Sequence, residues 1–217
     1  MPRAYNQVCP LSRTLDLLGE RWTLLVVREL LTGPKRYGEL LAALPGLGTN
    51  LLVARLRRLD GAGVLHAAEG GYELTPAGHA LSLALVELAR WGLAHTEPPT
   101  LRRARGPVAS PLALHALFDP ARADFARLCC ELRVGGEVFH VVAGGGALAV
   151  AAGPATAPDA VLELDATAYR RLEQGLSPRR LIAEGALRLE GSLDAFERLR
   201  GCLRPPAPAD EPRPRTG

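Results

Sequence analysis

The sequence predicts an α+β protein, with a helix-rich N-terminal domain and a small sheet-containing C-terminal domain. Its 217 residues exceed what one small domain needs. Hydrophobic residues make up 47% of the chain and aromatic residues 5%, which favours helix-rich packing in at least part of it. Residues 97–107 hold three prolines and three arginines without apolar periodicity, and this indicates an interdomain linker over 97–111.

The predicted domains are therefore 1–96 and 112–204, followed by a tail at 205–217. The tail is rich in proline and charge, so we expect it to be disordered. No apolar run reaches membrane-spanning length, and no signal for export is present. The four cysteines match neither a zinc motif nor a dense disulfide framework. We expect a soluble, cytoplasmic protein without a metal or cofactor.

The first domain begins with three predicted helices. Apolar residues recur at three- and four-residue intervals over about 12–31, and Gly19 is expected to divide this helix into two pieces. Gly33-Pro34 ends it. A second helix carries three leucines and ends at Pro45-Gly46, and a third begins near Thr49.

The third helix has one apolar side and one polar side. Leu52, Leu56 and Leu59 share the side that we expect to be buried. The residues predicted to point outward are Asn50, Val53, Ala54, Arg57 and Arg58. Arg55 lies beside the apolar stripe, where a structural ion pair and a phosphate contact are both open.

A predicted hairpin and a final helix complete the domain. Residues 64–66 and 72–74 flank Gly70-Gly71 in a hairpin pattern. Thr75-Pro76 then has the form of an N-cap followed by proline at the first helical position. The helix that follows is apolar around most of its circumference, which predicts burial against a partner subunit and hence a homodimer.

Two helices joined by a short turn and followed by a hairpin form a winged helix-turn-helix, whose second helix enters the major groove of DNA. Residues 21–58 hold seven basic and two acidic side chains, an excess of 7 − 2 = +5, whereas the whole chain carries +3. The basic charge is thus concentrated around the motif, and this favours phosphate contacts with double-stranded DNA.

Residues 6–95 resemble the HxlR-type winged-helix regulators. The resemblance is carried by Cys9-Pro10, LDLLGERWTLL at 15–25, Arg28-Glu29-Leu30, GPKRYGEL at 33–40, LPGL at 44–47, LTPAG at 74–78 and Trp91-Gly92. It implies a transcriptional regulator that binds near-palindromic operators as a homodimer, with the first and last helices of the domain in the dimer interface.

The resemblance also assigns roles to individual residues. It implies that base edges or nearby phosphates are met by Thr49, Asn50, Val53 and Arg57, and that the DNA backbone is held by Lys35, Arg36 and Arg58. For an isolated basic helix, a merely solvated face would be the alternative. The hairpin tip at 67–71 lacks basic residues, so we do not expect it to contact the minor groove.

Cys9 resembles the redox-sensing cysteine of some HxlR-type regulators, although many others keep it without sensing. A reactive thiol requires exposure and a lowered pKa, and the sequence shows neither. Redox sensing at Cys9 therefore stays open. Cys129 and Cys130 are neighbours in a strand-like stretch, so we expect opposite faces and a structural role.

The second domain reads as a sheet covered by helices. Strands are predicted at 132–134, 138–142, 148–150, 161–164 and 187–189, and helices at about 168–174, 178–184 and 193–203. Residues 112–204 resemble sterol-carrier-protein-type domains, which implies an apolar tunnel and a small hydrophobic effector. The candidate lining residues are Phe118, Phe125, Phe139 and Tyr169, for which an ordinary core position is equally open.

The leading hypothesis is a DNA-binding regulator controlled by such an effector. The alternative is a carrier of lipids or other hydrophobic ligands, or an acyl-handling enzyme, that uses the winged helix for protein interaction. The sequence contains no GxGxxG, P-loop, HExxH or GxSxG motif, and its five histidines lack metal-ligand spacing. We therefore do not expect an enzyme.

Overall fold

A computed structural model describes residues 4–96 and 111–204, and the chain divides into two compact units, 1–85 and 86–217. The predicted tail at 205–217 lies outside the described residues, as does the predicted linker except for its last residue, Pro111. The boundary between the units falls inside the helix that we expected to close the first domain, and Pro111 already begins a helix of the second unit.

The first unit starts with four helices. They are α1 (Pro10–Leu18), α2 (Thr23–Leu30), α3 (Tyr37–Ala43) and α4 (Thr49–Gly61). The predicted division at Gly19 is confirmed, and Trp22 precedes α2 with a left-handed φ of 77°. A Cβ at position 19 would lie 2.5 Å from the carbonyl oxygen of Leu15, so glycine lets the chain turn closely at the end of α1.

The predicted hairpin follows α4. Strands β1 (Leu65–Ala68) and β2 (Gly71–Leu74) pair antiparallel. The Thr75 hydroxyl accepts a hydrogen bond from the Gly78 N–H at 3.2 Å, which confirms the predicted N-cap. The sequence predicted one continuous helix from there, whereas the structure has two, α5 (Pro76–His79) and α6 (Leu81–His95), separated at Ala80.

The core of the first unit is built on leucine and valine. Leu52, Leu56 and Leu59 are at most 2% exposed, so the buried side predicted for α4 is confirmed. Val26 and Val27 of α2 are fully buried. The helix α6 differs, because only its Leu85 is buried, whereas Leu83, Leu88, Trp91 and Leu93 are exposed.

The second unit holds a five-stranded sheet in the order β5-β4-β3-β6-β7. The strands are β3 (Leu128–Val134), β4 (Glu137–Gly144), β5 (Ala147–Ala152), β6 (Ala160–Leu164) and β7 (Leu187–Gly191). Only the β3 and β6 pairing is parallel. The helices are α7 (Pro111–Leu117), α8 (Ala166–Glu173), α9 (Pro178–Ala183) and α10 (Leu193–Gly201). The predicted strands, the three predicted helices and the α+β class are confirmed.

The two neighbouring cysteines of β3 are both buried. Burial, and after it the nearby Cys129 and Asp159, raises the pKa of Cys130 to about 12. The Cys129 N–H donates a hydrogen bond to the Asp159 carboxylate at 2.7 Å. Cys130 is therefore a poor nucleophile, in agreement with the structural role that the sequence favoured.

The four aromatic residues expected to line a tunnel lie in or against the core of the second unit. Phe118, Phe139 and Tyr169 are buried, and Phe125 is half-buried against the same cluster. These positions correspond to the ordinary-core alternative. An open pocket of about 570 Å³ lies elsewhere in this unit, and its lining includes the charged side chains of Arg133, Glu163 and Arg188.

Candidate nucleic-acid interface

A hydrogen bond joins the first turn of α3 to the first residue of α4. The Tyr37 hydroxyl at the start of α3 donates to the carbonyl oxygen of Thr49 at the start of α4, at 3.1 Å. The Glu39 carboxylate accepts from the Arg36 N–H at 2.5 Å and so caps the first turn of α3. The start of α4 is thereby fixed relative to the start of α3.

The segment with Lys35 and Arg36 is hydrogen-bonded to the hairpin through the backbone of Lys35. The N–H of Lys35 donates to the carbonyl of Tyr72 at 3.0 Å, and the N–H of Tyr72 donates to the carbonyl of Lys35 at 2.9 Å. A Cβ on Gly71 would lie 2.4 Å from the Lys35 carbonyl oxygen, so only glycine permits this approach. The backbone at Lys35, and with it the start of α3 at Arg36, is therefore fixed against the hairpin.

The outward side of α4 carries exposed polar side chains. Thr49, Asn50 and Arg57 are exposed, and Val53 is half-exposed. The side chains of Asn50 and Arg57 make no hydrogen bond or ion pair with the rest of residues 4–96 and 111–204. An amide and a guanidinium in these positions have the donors and acceptors that base edges and phosphates require.

The structure differs from the sequence prediction at Arg58. Its Nη2 donates to the carbonyl oxygen of Asp16, and its Nε is buried with no hydrogen-bond partner in the described part of the chain. A guanidinium turned inward in this way does not face a duplex on the outward side of α4. Arg58 thus makes an internal hydrogen bond, whereas the resemblance implied a contact with the DNA backbone.

Arg55 takes the structural alternative that the sequence left open. Its Nη2 lies 2.9 Å from the Glu20 carboxylate, and its Nε donates to the carbonyl oxygen of Arg21 at 3.0 Å. Arg28 is likewise paired, at 2.5 Å, with the buried Glu29. Part of the +5 charge excess is thus neutralised inside the unit, and the basic side chains of residues 21–58 without an ion pair or an internal hydrogen bond among the described residues are Arg21, Lys35, Arg36 and Arg57.

Sequence reasoning missed two groups of this region, Asp16 and Glu20. Both belong to the stretch around the break between α1 and α2, far in sequence from the arginines that they meet. The placement of Arg55 beside the apolar stripe was the available signal, because a charged side chain there needs a partner.

Cys9 is exposed at the N-terminus of α1. The backbone N–H of Ser12, then that of Leu11, and the Ser12 hydroxyl lower the pKa of its thiol. A helix N-terminus favours the thiolate for the same reason that it favours any anion. Cys9 thus has both properties that a reactive thiol requires.

Known proteins resemble the part of the chain that carries this site. The model of the family described as HxlR-like helix-turn-helix matches residues 17–100. The uncharacterized HTH-type transcriptional regulator sll1512 of Synechocystis is 36% identical over 94 residues, which cover 40% of this chain and 70% of that protein. YvaP, an uncharacterized HTH-type transcriptional regulator of Bacillus subtilis, is 34% identical over 104 residues, covering 44% of this chain and 96% of YvaP. The chain belongs to the HxlR-like helix-turn-helix family.

As an HxlR-like protein, the chain is a transcriptional regulator of the helix-turn-helix type, and the resemblance stated for residues 6–95 is confirmed. The solved structure of the ubiquinone synthesis protein UbiJ-SCP2 is similar, with 16% identity and a TM-score of 0.34, over 58% of this chain and 96% of that chain. No helix within residues 4–96 and 111–204 is long and apolar enough to cross a membrane.

Proposed function

We propose that this HxlR-like regulator binds a near-palindromic DNA operator as a homodimer. One observation carries the proposal: α4 is anchored by three buried leucines and presents Thr49, Asn50 and Arg57 outward with Val53 between them. A helix of this kind fits the major groove, where amide and guanidinium groups read base edges. Lys35 and Arg36 supply the backbone contacts that fix its register.

The homodimer is supported by apolar side chains that a single chain leaves exposed. On α6, Leu83, Leu88 and Trp91 are exposed to 77%, 56% and 60%. On α1, Leu11 and Leu15 are also exposed. Large exposed apolar groups in such number are typical of helices that a partner covers. A second copy is the natural partner, because a two-fold symmetric operator requires a two-fold symmetric protein.

We also propose that a ligand of the second unit controls operator binding. The sequence of this unit resembles sterol-carrier-type domains, so we infer a small apolar effector whose binding changes operator affinity. The four aromatic candidates pack in or against the core, and a ligand would have to open that core to reach them. A ligand that binds the opened form better would shift the population towards it, and such a shift is the basis of an allosteric response.

Selection from a random DNA duplex library tests the operator. We expect the wild-type protein to enrich an inverted repeat whose half-sites lie about 10 base pairs apart, and to protect both from nuclease digestion. Equal weak binding to every duplex would contradict the proposal and favour the carrier alternative. Repeating the protection assay with long-chain fatty acids and sterols tests whether an apolar effector controls operator binding. Unchanged protection with all of these compounds would contradict effector control.

A second candidate function, redox control, is favoured by the exposure of Cys9 and the lowered pKa of its thiol. Oxidation at the start of α1 would alter a helix that we place in the dimer interface. At neutral pH we expect iodoacetamide to label Cys9 well before the buried Cys129, Cys130 and Cys202. Peptide mass spectrometry reads the order of labelling.

The functional test compares operator affinity before and after treatment with hydrogen peroxide or a quinone. Wild-type protein should lose affinity, and Cys9→Ser should keep it. A Cys9→Ser variant that responds like the wild type would rule out this role, while Cys202→Ser serves as the matched control at a buried thiol.

A further inference from the structure

One side of α4 is fastened to the break between α1 and α2. Arg55 and Arg58 lie about 60° apart on the helix, between its buried side and its outward side. Arg55 reaches the Glu20 carboxylate and the Arg21 carbonyl, and Arg58 reaches the Asp16 carbonyl. These five groups are called the elbow clasp here. Its contacts join residues that are 34 to 42 positions apart in the chain.

The elbow clasp is not an ordinary surface ion pair. The Arg55 side chain is only 13% exposed, and it uses two separate nitrogens on two separate acceptors. Exposed pairs contribute little because solvent screens them and two long side chains must be ordered. A largely buried guanidinium with two directed hydrogen bonds has lost most of that freedom already, so its geometry is well defined.

The core and the elbow clasp place different restraints on α4. Apolar contacts of Leu52, Leu56 and Leu59 determine which side of α4 is buried, but the three lie on one stripe and leave small rotations about the helix axis. Hydrogen bonds depend on angle, and those of Arg55 and Arg58 act beside that stripe. They therefore restrain these remaining rotations, which change where Asn50 and Arg57 point.

We propose that Glu20, Arg55 and Arg58 are positioning residues for base recognition. They touch no DNA, and they orient α4 so that its outward side chains meet base edges. The inference rests on the proposed operator binding. It predicts a specific deficit: loss of the elbow clasp reduces discrimination between the operator and other DNA, while the number of phosphate contacts stays the same.

The test uses the full-length protein, the duplex that the wild type enriches from a random library, and a duplex of scrambled sequence. Arg55→Met keeps the apolar stem and removes the guanidinium. We expect the ratio of the two affinities to fall about tenfold, with an unchanged slope of log affinity against log salt. Lys35→Met is the control at a proposed phosphate contact: its slope should become shallower by about one, while discrimination stays near that of the wild type.

Two further variants keep the inference testable if Arg55→Met does not fold. Glu20→Gln preserves the shape of a half-exposed side chain and removes its charge, and about a threefold loss of discrimination is expected. Arg55→Lys keeps a cation that can reach one acceptor at a time, so a loss of discrimination smaller than that of Arg55→Met is expected. Circular dichroism checks that each variant is folded.

The possible results separate the inference from the function on which it rests. If Arg55→Met weakens binding to both duplexes equally and lowers the salt slope, Arg55 is a phosphate contact and the inference is overturned. Unchanged discrimination in Glu20→Gln overturns it as well. If the wild type enriches no sequence at all, operator recognition itself fails, and the positioning role fails with it.

Discussion

Replacing Asn50 and Arg57 together by alanine is expected to weaken binding to the selected operator by about 30-fold or more, since each well-placed base contact contributes about 1–3 kcal/mol. Both side chains are exposed on α4 and neither has a partner in the described part of the chain. Their removal leaves no cavity and no unsatisfied group. The free energy of unfolding should therefore change by less than about 0.5 kcal/mol.

Fluorescence anisotropy with a labelled operator measures the affinity, and urea unfolding measures the stability. The matched control removes one amide and one guanidinium from the surface of the second unit, by Gln174→Ala with Arg188→Ala, where both residues are exposed. That control should bind the operator like the wild type. If the Asn50 and Arg57 double variant binds the operator with wild-type affinity, the outward side of α4 does not contact DNA.

The largest expected effect on stability comes from Leu52→Ala. Leu52 is fully buried in α4, so the substitution removes apolar contacts and leaves a cavity, at a cost of about 2–5 kcal/mol. Operator binding should then disappear at a lower temperature than in the wild type, because the first unit unfolds. At low temperature the folded fraction should still bind, and this distinguishes the variant from one that lacks a DNA contact.

Leu162→Ala is the matched control for Leu52→Ala. Leu162 is equally buried, but it lies in β6 of the second unit. We expect a similar loss of stability, confined to the second unit, with operator affinity near that of the wild type. Temperature-dependent anisotropy and circular dichroism separate the two effects. Equal loss of operator binding in both variants would show that the two compact units unfold as one.

Sequence alone predicted those elements of the fold that follow from local periodicity. The spacing of Leu52, Leu56 and Leu59 determined which side of α4 is buried, because any helix brings such positions to one side. Turn chemistry predicted the hairpin and the cap at Thr75, since both depend on near neighbours in the chain. The family resemblance then identified the outward residues as candidates for DNA contact.

The sequence could not predict the direction and the hydrogen-bond partners of the long arginine side chains. Arg57 and Arg58 are neighbours that a helical wheel places on the same outward half of α4, yet Arg57 is exposed and Arg58 reaches the Asp16 carbonyl. An arginine side chain spans more than a helical turn, so its direction depends on acceptors brought near by tertiary folding. The position of Glu20 beside Arg55 has the same origin.

The aromatic residues of the second unit show a related limit. Whether Phe139 of β4 or Tyr169 of α8 lines a tunnel or fills a core depends on how helices pack on the sheet, which the pattern along one strand or helix does not specify. The structure buries both of them in one apolar cluster. Phe125 is held differently, because the guanidinium of Arg198 lies 5.0 Å from its ring centre and covers it.

The paired hydrogen bonds between Lys35 and Tyr72 tie two lengths of chain to each other. In the short connection from α2 to α3, Lys35 forms an isolated antiparallel β-bridge with Tyr72 of the hairpin. The neighbouring Gly71 has no room for a methyl group. An insertion next to Lys35 in that connection, or in β2, would shift the register between Lys35 and Tyr72 and break these hydrogen bonds. The hairpin can therefore be lengthened without breaking this pairing at its tip, between Ala68 and Gly71.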